Sequence, residues 1–105
     1  MPKAGKILLV EDDHFDAEMT ILFLKKLDLR QEVIWLKTGQ YLLDYLEEYG
    51  TKEITLVLLD LNMPQVSGLE ALRAIREKKY DFFPIVMLTS SRRPNEIEAC
   101  YALGC

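Results

Sequence analysis

The sequence predicts an α/β fold, a parallel sheet with helices on both faces, and three observations lead there. Four short apolar runs alternate with segments of helical period. Two of the runs, Ile7-Leu8-Leu9-Val10 and Leu56-Val57-Leu58-Leu59, are apolar at every position, the pattern of strands buried on both sides. Each intervening segment is long enough for a crossover helix, so consecutive strands run parallel through right-handed connections.

Each element has its own signal. Residues 7–10 form the first strand and stop at three consecutive acids, Glu11, Asp12 and Asp13. Residues 15–27 follow as a helix with Ala17, Ile21 and Leu24 at helical spacing and Lys25 and Lys26 in the last turn, where the helix dipole favours cations. Glu32-Val33-Ile34-Trp35-Leu36, β-branched and aromatic, is the second strand. Its Trp35, the single tryptophan, is expected to lie at a distance from the acids. After Lys37-Thr38-Gly39 a second helix carries Leu42, Leu43, Leu46 and Tyr49 as its apolar stripe, and Gly50 closes it. Residues 55–60 are the third strand, bounded by Pro64 and Gly68. Leu69, Leu72 and Ile75 mark the third helix, and residues 84–89 the fourth strand. A polar loop, residues 90–93, then leads into a helix begun by Pro94 and carrying Ile97, Cys100, Tyr101 and Leu103.

A chain of 105 residues with 50% hydrophobic content is expected to form one domain, residues 1–105, with no internal linker. No apolar run approaches the roughly 20 residues of a membrane span, and no signal-peptide core follows Met1-Pro2-Lys3, so the expected place is the cytoplasm with no membrane contact. A net charge of −4 without a basic stripe speaks against nucleic acid as a partner. Cys100 and Cys105 lack the companions of a zinc site and are expected to be reduced.

Chemistry concentrates where the strands end. Asp60 closes a strand buried on both faces, where a carboxylate needs a cation, hydrogen-bond donors or a chemical task. The plainer reading, that Asp60 caps the turn into Pro64, weighs about as much on this strand alone. The acids after the first strand shift the balance. If the two strands are parallel neighbours, Glu11 and Asp12 come within reach of Asp60, and clustered carboxylates raise one another's pKa unless a cation lies between them. Oxygen donors of this kind select Mg²⁺ or a similar divalent ion. Asp13 is equally explained by a helix N-terminus. Thr89 and Ser90 end the fourth strand with hydroxyls, so the rim could receive phosphoryl oxygens, with Asp60 as the nucleophile. By position alone, Thr89 is more readily an ordinary β-branched strand residue.

The segments ILLVEDD, LVLLDLNMPQVSGLEALRAIR and PIVMLTS resemble the receiver domain of bacterial two-component response regulators over essentially the whole chain. The stretches VEDDHFDAEMTILFLKK and TGQYLLDYL are further similar to stand-alone receivers that serve phytochrome-type kinases. The resemblance implies a three-layer, doubly wound, flavodoxin-like sheet of strand order 2-1-3-4. It implies that Asp60 accepts a phosphoryl group from a phosphohistidine of a sensor histidine kinase or a histidine phosphotransfer protein. Asp12 and Asp60 would bind Mg²⁺ directly, the Asn62 main-chain carbonyl would complete the protein ligands, and Glu11 would act through water. Thr89 would bond the phosphoryl group and move the switch.

Two departures from the pattern stand out. Ser90 is larger than the small residue usual there, and the chain reaches Cys105 before the fifth strand with its Lys, the switch residue and the fifth helix. No Lys follows Lys79. A receiver that lacks these parts is expected to be marginally stable, or to self-associate as a homodimer through its fourth strand and fourth helix. The competing function is a receiver-like interaction module that is not phosphorylated, which the missing Lys favours and the acids disfavour. A haloacid dehalogenase-like hydrolase would need a second Asp where Asn62 stands, and a flavin site would need a phosphate loop where the acids stand.

Overall fold

A computed structural model describes residues 5–28, 30–60, 68–78, 80, 83–88 and 102. The elements in order are β1 (Lys6–Val10), α1 (His14–Lys26), β2 (Glu32–Leu36), α2 (Gly39–Tyr49), β3 (Ile54–Asp60), α3 (Gly68–Glu77) and β4 (Ile85–Leu88). All strand pairs are parallel, and the sheet order is β2-β1-β3-β4. The expected alternation and strand order are therefore observed. Of the helix expected after Pro94, only Ala102 is described, and it is helical; Cys100 and Cys105 lie outside the described residues.

Strand alternation sorts the two sides of the sheet. Leu8, Val10, Val57 and Leu59 point to one side and pack with Leu42 and Leu46 of α2 and Ala71, Leu72 and Ile75 of α3. Ile7, Leu9 and Leu58 point to the other and meet Ala17 and Leu24 of α1. These are the three layers. Phe83, just before β4, is 1% exposed and among the largest fully buried side chains. Nothing in the periodicity singles it out, because it lies outside any regular element.

Local chemistry sets the helix ends. Asp13 is the N-cap of α1, its carboxylate accepting the Asp16 N–H at 2.8 Å. Thr38 caps α2 through Tyr41 N–H at 3.1 Å. Gly50 ends α2 at φ 72°, a left-handed conformation that costs glycine little, with its N–H donating to the Leu46 carbonyl at 2.9 Å.

The α2 stripe departs from expectation at one position. Leu42 and Leu46 are buried and Leu43 packs against the core, but Tyr49 is 64% exposed and leans on Tyr45 with ring centroids 4.7 Å apart. In the last turn the tyrosine faces water, where its hydroxyl stays solvated. Among the described residues no helix is long and apolar enough to cross a membrane.

Candidate metal centre

The carboxyl ends of β1 and β3 lie side by side because Val10 pairs with Leu59. One residue further on, Glu11 leaves β1 next to Asp60, the last residue of β3. Both are buried, at 7% and 9% exposure, while Asp12 is exposed. Carboxylate oxygens of Glu11, Asp12 and Asp60 all lie within 4.8 Å of one another. The structure thus brings together the three acids singled out in the sequence. Asp13 stands apart from them in its capping role.

Electrostatics make the cluster costly without a counter-charge. Burial, then a hydrogen bond to Asp60 and the charge of Asp60, push the Glu11 carboxyl from its ordinary 4.5 up to about 9. The metal-free site is relieved by keeping a proton on Glu11. Three oxygen donors, two at the base and one at the solvent side, also fit a hard divalent cation, whose charge would relieve the same repulsion.

The backbone that carries these acids is tied to β2. The Glu11 N–H donates to the Leu36 carbonyl at 3.0 Å, and the Glu11 carbonyl accepts the indole N–H of Trp35 at 2.7 Å. Trp35 is therefore not distant from the acids, as the sequence suggested, but bonded to the segment that bears them. Its position within β2 hid this, since its reach depends on register. Trp35 pairs with Leu9, and Glu11 follows two residues later, just past the end of β1. His14 meets the indole edge-on at 4.9 Å between centroids, and Lys37 Nζ lies 5.5 Å from the ring centre. Asn62, Thr89 and Ser90 fall outside the described residues.

The sequence matches the response regulator receiver domain over residues 7–105. Over 100 residues it is 35% identical to the probable methanogenesis regulatory protein FilR2 of Methanothrix harundinacea; the match covers 91% of this chain and 64% of that one. The chain thus spans a little under two thirds of that curated relative's length. The phosphorylated cyanobacterial phytochrome response regulator RcpA superposes with a TM-score of 0.85 at 29% identity, over 97% of this chain and 76% of that one. For the Mn²⁺-bound form of response regulator Rcp1 the TM-score is 0.84 at 33% identity, over 95% and 76% of the two chains.

Proposed function

The chain belongs to the response regulator receiver domain family, and on that premise we propose that it is a signalling switch phosphorylated on Asp60. The observation that carries the reading is the set of Glu11, Asp12 and Asp60 carboxylates within 4.8 Å of one another at the ends of adjacent parallel strands. Mutual repulsion in such a trio, with Glu11 and Asp60 buried, opposes folding, and a bound divalent cation would offset it.

In this reading an Asp60 carboxylate oxygen attacks the phosphorus of a phosphohistidine on a sensor histidine kinase or a histidine phosphotransfer protein. An O–P bond forms, the N–P bond breaks, and the imidazole leaves. Asp12 and Asp60 are the direct metal ligands, joined by the Asn62 carbonyl, with Glu11 acting through water. Mg²⁺, when bound there, offsets the charge of the carboxylates and of the incoming phosphoryl oxygens. Thr89 then donates its hydroxyl to the phosphoryl group and carries the change into the fourth strand. The chain's part is to accept and release the phosphoryl group, not to turn over a diffusing substrate. The metal-bound and phosphorylated receivers it resembles support this reading, and the phytochrome regulator among them supports a phytochrome-type kinase as partner.

The reading takes residues 1–105 as one receiver unit acting in the cytoplasm. It includes self-association as a homodimer through the fourth helix and β4, the outer strand of the described sheet, where Val86 is 47% exposed. Incubation with a small-molecule phosphodonor tests it: intact mass should rise by one phosphoryl group with Mg²⁺ and stay unchanged in Asp60→Asn. Labelling that persists in Asp60→Asn would move the site to another acid.

A further inference from the structure

Residues 11–13 join β1 to α1 and carry the two acids that face Asp60. Hydrogen bonds at both ends fix this short connection. The Glu11 N–H is held by the Leu36 carbonyl, the Glu11 carbonyl by the Trp35 indole, and Asp13 by the Asp16 N–H. Asp12 lies between these anchors, exposed, with its peptide nitrogen bonded to the very carbonyl that Trp35 holds. The indole N–H is a side-chain donor, so this anchor depends on the residue type at position 35. A main-chain anchor such as the Leu36 carbonyl does not.

We propose that Trp35 is a positioning residue of the metal centre, whose indole N–H orients the Glu11–Asp12 peptide so that both carboxylates meet Asp60 before a cation arrives. The proposal rests on the metal-site reading above. The indole is itself well held: it is half-buried against the α1-side core, with His14 on its edge. A donor fixed in this way limits rotation of the acceptor peptide, and order present before binding is order that binding need not create. Outer groups that aim metal ligands act in the same manner. Without the indole N–H, the Glu11 carbonyl turns toward water and Asp12 samples positions away from the cluster.

Two measurements test this. The first uses the unaltered chain, in which the one tryptophan gives a single indole N–H resonance. On Mg²⁺ titration that resonance should shift with the same midpoint as the Asp60 amide. An indole signal that stays still while the Asp60 amide shifts overturns the proposal. The second replaces the indole of Trp35 with benzothiophene, which keeps the bicyclic shape and removes the donor, alongside Trp35→Phe. Calorimetric Mg²⁺ affinity should fall about two- to tenfold in each folded variant, the range expected for one hydrogen bond. A purely structural tryptophan would lower the unfolding temperature and leave affinity unchanged, and that result in the benzothiophene protein overturns the proposal. If the unaltered chain binds Mg²⁺ no better than Asp60→Asn, the metal-site reading itself fails and the role of Trp35 falls with it.

Discussion

At the scale of single residues, the acids were legible because each ends an apolar run abruptly: Glu11 and Asp12 follow Val10, and Asp60 follows Leu59. The burial of Asp60 and a raised pKa within the cluster were legible too, but not that Glu11 is equally deep and carries the rise, which has a consequence for pH. Glu11 titrates near 9 in the folded chain against about 4.5 when unfolded, so folding binds its proton more tightly. That contribution is complete below about pH 4.5 and is lost progressively as the pH rises toward about 9. Metal-free protein should therefore lose stability across this window, measured by denaturant unfolding at a series of pH values, and Glu11→Gln should flatten the slope. Millimolar Mg²⁺ should flatten it too, since a bound cation takes over the role of the proton. Asp12→Asn should weaken Mg²⁺ binding at least about tenfold, because a unit charge about 4 Å from a divalent ion is worth about 2 kcal/mol even at the dielectric of water. Trp35 stayed hidden because a strand tryptophan reads as packing, and only the pairing of Trp35 with Leu9 reveals what its N–H can reach.

Helices and strands were legible where their period was clean. The second strand has the expected limits, and the stripe Ala17, Ile21, Leu24 does face the sheet. The α2 stripe held for Leu42, Leu43 and Leu46 and failed at Tyr49, since helical spacing cannot tell a core position from an amphipathic side chain in the final turn. Substitution should separate the two. Leu46→Ala removes a side chain 1% exposed and should cost about 2–5 kcal/mol in chemical unfolding, whereas Tyr49→Ala should cost about 1 kcal/mol or less. Helix α1 also carries apolar residues that its core face does not use: Phe15, Met19, Leu22 and Phe23 are all exposed. That second apolar face blurs the amphipathic signal of the helix without hiding its three core contacts.

Across the whole molecule, strict alternation of strands and helices was enough to give the parallel, two-sided sheet, because few topologies satisfy right-handed crossovers. Strand order needed the family resemblance, and exact register needed the structure. Central β1 and β3, paired on both sides and buried on both faces, should show the slowest amide exchange at Leu8, Leu9, Leu58 and Leu59, with β2 and β4 opening sooner. The same central pair delivers Glu11, Asp12 and Asp60 to one rim, so the fold and the proposed chemistry share their support. The most direct test is to locate the phosphoryl group: treat the chain with a small-molecule phosphodonor and Mg²⁺, reduce the acyl phosphate with borohydride, and identify the altered residue by peptide mass. The account predicts reduction at Asp60 alone, and only when Mg²⁺ was present. Reduction at any other acid, or equal labelling without a divalent ion, would contradict it.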